Sequence, residues 1–495
     1  MNSEIDKEKM LNELGRNIDN SSMLGDTGKL LELDERCADL LSEEDQGQKA
    51  RIWYFRSNIH ASIQDQEDPH SWSWRQPHRE KQVLYLRRAM ECEEFTELNP
   101  LICAQIITNL ANNLNSFGRT IEALPLYNEA LRYVPNFAMA LANRGLSRIT
   151  LAKSLHDRGH AAIILLFAHD DFSSALSKSA LWDGHYYGVY EQFKAEQHHI
   201  ESAIDIDFVR KTLNLDSYRL GRTKIEQRYR SWALEHGLFI NPLNTIGPRS
   251  IAATDRFNLP THQAKSLDEP PHFIAWFNQL KQEFSAARLL LFESETMTYP
   301  HYADREMSLV DTMDYPAYGI VFEKMRISFR IAYSLLDKVA GFINAYFELG
   351  EKPERVDLKN VWLTKNRKDI REEFKNHKNL PLRGLYWLAF DIVGDEPEDP
   401  DAIAPNARDI YRLRNALEHR CLALKEFEFS KPQSIIESTT VDNFRARTLT
   451  MLHLAHASIL YLSMSVGVEE RTKKTKESGI VLPIPLTDYR GPTGL

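Results

Sequence analysis

Residues 104–137 read AQIITNLANNLNSFGRTIEALPLYNEALRYVPNF. Apolar side chains recur here at intervals of three and four residues, which is the period of an amphipathic helix. Gly118 interrupts the pattern once, and Pro135 follows its second half. Since glycine favours a turn and proline cannot continue a helix, the stretch predicts two helices joined at Gly118. A single helical hairpin cannot bury its apolar face, so neighbouring hairpins are expected.

This hairpin resembles the tetratricopeptide repeat, whose period is about 34 residues. A second copy is predicted to begin at Ala138, and an upstream copy would use Trp53 and Tyr54 in its first helix. We therefore predict an array of stacked helical hairpins in the N-terminal part of the chain. Such arrays usually bind a partner on their concave face, so the resemblance implies a module that senses or docks a protein or peptide. The alternative is an unrelated helical bundle in which one stretch happens to match the repeat.

The C-terminal half carries a longer apolar stripe. Between residues 322 and 347, apolar side chains occupy positions 322, 325, 329, 332, 336, 339, 343 and 347. Steps of three and four residues keep these side chains on one face of a single long helix. Further stretches with helical patterning occur at 273–294, 382–393, 407–424 and 442–466. Long helices with short connections are typical of a helical bundle.

The pattern of the whole chain predicts an all-α protein in two main parts. Glycine and proline are sparse, with 21 of each in 495 residues. Alternating apolar patterns of the strand type are rare. Residues 1–195 are predicted to form the hairpin array, and residues 268–472 the helical bundle. Residues 196–267 would connect the two and be partly helical, while residues 473–495 form a basic tail rich in proline and glycine.

The composition argues against several classes of function. The chain has 61 Lys and Arg residues against 70 Asp and Glu residues, which gives a net charge of −9. A protein that coats nucleic acid through bulk charge is not expected, although a local basic groove is still allowed. The four cysteines form no CxxC pair, so neither a disulfide framework nor a cysteine zinc site is expected. Without a secretory signal or a long apolar run, we expect a cytoplasmic protein with no membrane partner.

The motifs of several common enzyme classes are absent from the sequence. It contains no GxxxxGK(S/T), GxGxxG, HExxH or GxSxG pattern. Phosphate-loop ATPases, Rossmann enzymes, zincins and serine hydrolases of the usual type are therefore disfavoured. His453 and His456 lie three residues apart on a predicted helix, but no carboxylate or third histidine is nearby, so they are interpreted as packing or surface residues. No cofactor and no metal site is predicted.

One predicted helix concentrates reactive side chains. Residues 406–420 read NARDIYRLRNALEHR. The apolar residues form one stripe that is predicted to be buried: Ile410, Leu413, Leu417, Cys421 and Leu424. Beside this stripe, Asn415 and His419 lie one turn apart, and the long side chain of Arg414 can lean toward Asn415. The alternative is that Arg414 and Glu418, four residues apart, form an ordinary surface ion pair.

The arrangement Arg414-Asn415-x3-His419 resembles the Arg-Asn-x3-His signature of the HEPN superfamily, the helical domains of many prokaryotic RNase toxins and defence proteins. The stretch YSLLDKVAGFINAYF at residues 333–347 resembles an early HEPN helix. In the most similar branch of the superfamily, tetratricopeptide-like repeats precede a C-terminal HEPN domain. That order is the one predicted for this chain.

The resemblance implies a metal-independent endoribonuclease in which the 2′-hydroxyl attacks the phosphate and a 2′,3′-cyclic phosphate is left. His419 would be the general base or acid, since imidazole titrates near neutral pH. Arg414 would stabilise the charge that develops on the phosphate, and Asn415 would orient the phosphate or the histidine. Asp337 would be either an acidic helper or a residue that pairs locally. HEPN domains generally pair, so a homodimer is implied.

Basic residues near the motif are predicted to bind the RNA backbone. Residues 365–383 carry seven Lys and Arg residues against three Asp and Glu residues. The predicted RNA-binding residues are Lys365, Arg367 and Lys368 in this stretch, and Arg408, Arg412 and Arg420 around the motif helix. For the stretch 365–383, the alternative is a solvated helix face with local ion pairs.

These features together predict an endoribonuclease of the toxin or antiphage-defence type, with RNA as its substrate. The hairpin array would sense or dock a protein partner. Two other interpretations stay open. In the first, the chain is a non-catalytic interaction or dimerisation scaffold; in the second, it is an antitoxin-like regulator of another RNase.

Overall fold

The computed structural model describes residues 2–42, 48–68, 72–182, 187–261, 271–310, 315–366, 369–392, 404–427 and 436–474. The α-helices within these residues are Asn2–Leu24 (α1), Thr27–Ser42 (α2), Lys49–Glu67 (α3), Pro77–Glu91 (α4), Pro100–Ser116 (α5), Thr120–Tyr133 (α6), Ala138–Ser154 (α7), Arg158–Ala175 (α8), Tyr187–Ala203 (α9), Ile206–Thr212 (α10), Lys224–Glu235 (α11), His272–Thr296 (α12), Ile320–Tyr346 (α13), Glu372–Lys375 (α14), Leu380–Leu388 (α15), Ala407–His419 (α16) and Val441–Lys474 (α17). Short 3-10 helices occupy Glu93–Glu97, Pro242–Ile246, Ser250–Ala252, Tyr302–Asp304, Pro353–Arg355 and Ala389–Asp391. Two short strands, Leu422–Lys425 (β1) and Glu437–Thr440 (β2), pair in parallel. The predicted all-α class is confirmed, and the strand pair is a small addition to it.

The N-terminal part of the chain is an array of helical hairpins, as predicted. α3 packs against α4, α5 against α6 and α7 against α8, and successive hairpins also contact one another. Gly118 lies between α5 and α6 and has a φ of 88°. Side chains fix the starts of two helices: Asn99 accepts a hydrogen bond from the Leu101 N–H at 2.9 Å, and Asp157 accepts one from the His160 N–H at 2.7 Å. The assignment of these hairpins to the tetratricopeptide family stays a prediction.

The predicted boundary at residue 195 lies inside α9. Phe193 and Ile200 of this helix are buried in one cluster with Phe172 of α8, so α9 continues the packing of the array. The connecting region 196–267 is partly helical, since α10 and α11 lie in it. Its apolar residues between 238 and 243 belong to the same core as the array and the bundle. This region is therefore part of the packed protein and not an extended linker.

α12, α13 and α17 form the centre of the C-terminal bundle, and α15 packs on α17. The predicted apolar stripe of α13 is buried at Met325, Phe329, Ala332, Leu336, Val339 and Ile343. In the described part of the chain, Val441–Lys473 is the one stretch that is long and apolar enough to cross a membrane. However, 89% of its most apolar window is buried inside the protein. Because core helices pass the same test of length and composition, this is weak evidence for a membrane span.

The helix that carries the motif is shorter than predicted. It ends at His419, because Arg420 is extended with φ −141° and ψ −158°. The chain then enters β1, which pairs with β2, and the Leu424 carbonyl accepts a hydrogen bond from the backbone N–H of Ala317 at 2.7 Å. Leu424 is thus buried in a strand, and Cys421 is exposed. The predicted continuation of the helical stripe through these two residues is wrong, since main-chain pairing to distant segments replaces the last helical turn.

The array and the bundle approach each other closely at the turn between α5 and α6. The rings of Phe117 and Trp387 stack with their centroids 3.9 Å apart. Beside them, a Cβ atom added at Gly384 of α15 would lie 2.6 Å from the carbonyl oxygen of Gly118. Two glycines therefore allow the two backbones to touch. One continuous core extends through both parts of the chain.

A buried network of charges crosses the same contact. Arg119 is fully buried and pairs with both Glu122 and Asp391. Arg87 of α4 also donates to Asp391, at 2.6 Å. The Tyr461 hydroxyl of α17 accepts from the backbone N–H of Ile121 at 3.0 Å and donates to Glu122 at 3.1 Å. Although burial alone would raise the pKa of the Asp391 carboxyl, the two guanidinium groups hold it well below its usual range.

Gly118→Ala is expected to lower the free energy of unfolding by at least about 2 kcal/mol. The added methyl group would overlap the carbonyl oxygen of Leu380, and alanine disfavours the positive φ at this position. Gly188→Ala is the matched control, because no atom lies within 4 Å of its added Cβ. We expect it to be neutral or to stabilise α9 by less than about 1 kcal/mol. Urea denaturation of the full chain measures both, and equal stabilities for the two variants would contradict the close contact.

Arg119→Met is expected to destabilise the protein by about 3–5 kcal/mol, because it leaves Asp391 buried with one of its two cations removed. The control is Arg445→Met, which breaks an ion pair with Glu295 on a side chain that is 52% exposed. That change should cost less than about 1 kcal/mol. Both are measured by urea denaturation. If Arg119→Met were as mild as its control, the buried network would not hold the two parts together.

Candidate functional site

α16 packs against α13 and presents the motif at the border between core and solvent. Ile410, Leu413 and Leu417 are buried, which fixes the rotation of the helix about its axis. Arg414 and Asn415 are then half-buried. The apolar stripe therefore determines which way the neighbouring polar residues point.

Arg414 is held by two contacts inside the site. Its Nη1 donates to Asn415 Oδ1 at 2.9 Å, and its guanidinium lies over the ring of Tyr333 at 5.4 Å from the centroid. Glu418 instead forms an ion pair with Arg330 of α13, at 3.5 Å. The alternative interpretation, an ordinary surface pair between Arg414 and Glu418, does not describe this geometry. The arginine and the asparagine of the motif are a hydrogen-bonded unit.

His419 is the last residue of α16 and is exposed. Its imidazole makes no hydrogen bond or ion pair with any residue that the structure describes. Arg420 follows it in an extended conformation, so the backbone turns away from the helix axis directly after the histidine. Both ring nitrogens are therefore open to a ligand that reaches the end of this helix.

A pocket of about 210 Å³ lies between α13 and α16. It is lined by Phe329, Arg330, Tyr333, Ser334 and Asp337 of α13 and by Arg414, Leu417 and Glu418 of α16. Arg414 is thus shared between the pocket and the motif. His419 and Asn415 do not line the pocket, so the predicted catalytic residues are divided between the pocket and the surface next to it.

Asp337 is the acid of the pocket whose pKa is clearly raised. Burial and the negative charge of Asp357 raise its pKa to about 6, while a hydrogen bond from the backbone N–H of Leu358 and the charge of Arg414 act in the opposite direction. Burial and the charge of Asp337 also raise the pKa of the Tyr333 hydroxyl. A carboxyl group with a raised pKa that lines a pocket together with Arg414 is a candidate functional group.

The cations of the motif helix have different surroundings. Arg408 and Arg420 are exposed. Arg412 is also on the surface, but it is held by Asp409 at 2.9 Å and by Glu437 at 3.0 Å. A ligand phosphate would compete with two carboxylates for Arg412, whereas the other two arginines make no ion pair in the described part of the chain.

The basic stretch 365–383 is used largely within the protein. Lys365 is exposed, and Arg367 and Lys368 lie outside the described residues. Arg371 is ion-paired with a glutamate, and Arg383 is buried against the hairpin array. Part of this stretch therefore contacts distant segments of the protein, which neither the prediction of RNA binding nor its alternative, a solvated helix face with local ion pairs, described.

Arg330, Tyr333 and Ser334 are pocket residues that the sequence did not identify. With Asp337 they follow one another at intervals of three, one and three residues, so all four lie on one face of α13. This polar stripe runs beside the apolar stripe of the same helix. A search for polar residues at helical spacing next to the most regular apolar helix could have found it.

Of the two histidines of α17, His456 is buried and His453 is exposed, which agrees with their interpretation as packing or surface residues. His456 Nε2 lies 2.7 Å from the carbonyl oxygen of Phe239, and His453 Nε2 lies 2.9 Å from that of His236. Burial lowers the pKa of His456 to about 4. Among the described residues, no group of three or more His, Cys, Asp or Glu side chains could hold a metal ion.

The C-terminal bundle, with its Arg-Asn-x3-His helix set against a long amphipathic helix, is a HEPN domain. Residues 264–469 match the model of the family described as LA2681-like HEPN. The domain therefore belongs to that family, which confirms the resemblance inferred from the motif and from the order of the helices. No curated protein and no solved structure matches the chain.

Asp337→Asn is expected to stabilise the protein at pH 8 and to have little effect at pH 4. The folded-state pKa of about 6 lies above the ordinary value of 3.8, so the folded state loses stability as the pH rises through this window. Allowing for partial solvent screening, the gain at pH 8 is about 1–2 kcal/mol. Urea denaturation at the two pH values measures it, with Asp39→Asn, on an exposed side chain, as the control. A loss of stability at pH 8 would show that Asp337 is held by favourable contacts instead.

Proposed function

We propose that the protein is a metal-independent endoribonuclease of the HEPN type. The observation that carries this proposal is the geometry of the motif. A cation and an amide, joined by a hydrogen bond of 2.9 Å, lie on the same helix as an exposed imidazole at its end. The match of residues 264–469 to a HEPN family supports an RNase or nucleotide-related role. RNase activity itself belongs to the proposal.

The site contains the groups that RNA cleavage by the 2′-hydroxyl requires. His419 would accept the proton of the 2′-hydroxyl as that oxygen attacks the phosphorus, or donate a proton to the 5′-oxygen that leaves. Arg414 would neutralise charge on the phosphate oxygens, and its bond to Asn415 fixes the plane of the guanidinium. The products are a 2′,3′-cyclic phosphate and a 5′-hydroxyl, and no metal ion takes part in the reaction.

RNA would approach along the exposed side of α16, from Arg408 in its first turn to His419 and Arg420 at its end. Arg408 and Arg420 are free of ion pairs within the described residues, and Lys365 is also exposed. The net charge of −9 would repel RNA from much of the surface. Local cations beside the motif therefore matter more to binding than the charge of the whole chain.

We further propose that two copies pair through their HEPN domains, so that two α16 helices face a common RNA strand. HEPN domains often dimerise, and an exposed imidazole at a helix end is accessible to a second subunit as well as to RNA. The hairpin array would bind a protein or peptide that controls the site. A cytoplasmic toxin or antiphage-defence role fits this arrangement.

One observation favours the second candidate function, a non-catalytic interaction scaffold. Large apolar side chains are exposed in the segment before α13, with Val310 at 86% and Met307 at 61%, and directly after β1, with Phe427 at 62%. An apolar surface of this kind often marks a protein-binding site. If the chain is a scaffold, substitutions at Arg414 and His419 would at most change the stability of the folded protein and would have no effect on RNA.

The test is incubation of the full chain with total RNA in the presence of EDTA. We expect cleavage that EDTA does not reduce and products that end in a 2′,3′-cyclic phosphate. His419→Ala should lower the rate by about 10²–10⁴-fold and Arg414→Ala by about 10²–10³-fold.

The matched controls are His199→Ala, which removes an exposed histidine of α9, and Arg445→Ala, which removes an exposed arginine of α17 that is paired with Glu295 and not with the motif helix. Both should cleave at the wild-type rate. Cleavage that EDTA abolishes would contradict metal independence. Equal background cleavage by the wild type and His419→Ala, even at raised concentration, would favour the scaffold.

A further inference from the structure

The pocket between α13 and α16 is joined to the motif through Arg414, yet the proposed cleavage chemistry does not use its other side chains. We propose that this pocket holds the base of the nucleotide whose 2′-hydroxyl attacks, and that Asp337 and Ser334 make it selective for guanine. This inference rests on the proposed endoribonuclease function and adds a substrate specificity to it. Cleavage would then occur on the 3′ side of guanosine residues.

The size of the pocket suits one base. Its volume of about 210 Å³ is below the range of about 300–1,000 Å³ found for sites that hold drug-sized ligands. A single planar ring system fits such a space, whereas a whole nucleotide does not. The sugar and the phosphate would therefore stay outside the pocket, on the side where Arg414 meets Asn415.

The position of Arg414 connects the two parts of the site. Its guanidinium covers one face of Tyr333 inside the pocket and donates to Asn415 on the side of the motif. A guanidinium plane can stack on a base, and its edge can donate to a phosphate. A base in the pocket would thus bring its own 3′-phosphate to Arg414 and within reach of the helix end at His419.

The polar atoms of the pocket match the Watson–Crick edge of guanine. Asp337 contributes a carboxylate that makes no ion pair with any described residue and accepts one hydrogen bond from the backbone N–H of Leu358, which leaves lone pairs on both oxygens for a ligand. Guanine offers two adjacent donors, N1–H and N2–H, which a carboxylate accepts as a parallel pair. Ser334 lies three residues before Asp337 on the same face of α13 and lines the same pocket. Its hydroxyl has no hydrogen-bond partner in the described part of the chain. That hydroxyl can donate to guanine O6.

The other three bases fit this arrangement less well. Adenine and cytosine each place an amino donor beside an unprotonated ring nitrogen, whose lone pair would face the carboxylate. Uracil has one N–H donor between two carbonyl oxygens, which the carboxylate would repel. An unfavourable polar contact in a buried site costs more than a missing favourable one. Selection of guanine would come both from the hydrogen bonds that guanine gains and from the repulsive contacts that the other bases would make.

The charge of Asp337 makes the selectivity depend on pH. The groups that face this carboxyl are Asp357, Arg414 and Tyr333, with the Arg330–Glu418 pair also lining the pocket. Lys338, the next residue, is paired with Glu283 and does not neutralise it. Above its pKa of about 6 the carboxylate accepts two hydrogen bonds, and below that value the protonated acid cannot. The preference for guanine should therefore weaken as the pH falls from 7.5 to 5.

The first experiment measures binding without cleavage. Guanosine, adenosine, cytidine and uridine 3′-monophosphates are titrated separately into the full-length protein at pH 7.5. We expect guanosine 3′-monophosphate to bind about 5- to 150-fold more tightly than each of the others, which is the range of one bidentate base contact. Asp337→Asn should remove this difference, because its amide offers one donor and one acceptor. Asp39→Asn, on an exposed side chain of α2, should keep it.

The second experiment maps the ends of RNA fragments that the wild-type protein produces at pH 7.5 and pH 5. Cleavage after guanosine at pH 7.5, with a weaker preference at pH 5, would support the inference and needs no variant. Cleavage with no base preference would overturn the guanine pocket and leave the endoribonuclease function in place.

The two proposals can fail separately. Selective binding of guanosine 3′-monophosphate without any cleavage of RNA would retain the pocket and contradict the nuclease. Equal binding of the four monophosphates would overturn the pocket whatever the outcome of the cleavage assay. The thermal unfolding midpoint of Asp337→Asn shows whether a change in its binding reflects a loss of folding.

Discussion

A buried cation joins the two parts of this protein. Arg119, at the turn between α5 and α6, has no exposed surface and pairs with Asp391 in the short 3-10 helix that follows α15. Because a buried charge that loses its partner is strongly destabilising, this turn cannot separate from α15 at low energy. Asp391 also binds Arg87, so one carboxylate connects two hairpins of the array to the HEPN domain. The neighbouring stack of Phe117 on Trp387 adds apolar contact at the same place.

This connection limits the ways in which the array can influence the site. α15 packs on α17, and α17 packs on α13, the helix that forms one wall of the pocket. A ligand on the array can alter the pocket only if it binds two arrangements of these helices with different affinities. An array that swings away as a rigid body would have to break the Arg119–Asp391 pair. Under the proposed control of the site by the array, small shifts along the packed helices would be the accessible route.

The sequence predicted what depends on local spacing and missed what depends on distant partners. Steps of three and four residues identified α13, and the same period found the start of α16. The pairing of Arg119 with Asp391 spans 272 residues, and no local pattern reveals it. The end of α16 at His419 follows from the pairing of β1 with β2, which helical periodicity cannot show. The pocket could be predicted only in part. The polar stripe on α13 is visible in the sequence, but the packing of α16 against it, which forms the other wall, is not.

The two ends of the site need opposite environments, and Arg414 lies between them. A group that transfers protons must exchange them with water, and His419 is exposed at the end of α16. A carboxylate that reads a base gains from burial, because hydrogen bonds to a charge are stronger where water is excluded. The same burial raises the pKa of Asp337 to about 6, so its charged form reduces the stability of the folded protein at neutral pH. An acid that forms no ion pair among the described residues, retained at that disadvantage, is easier to explain by recognition of a ligand than by packing. Because Arg414 lines the same pocket, it would tie recognition of the base to the position of the phosphate.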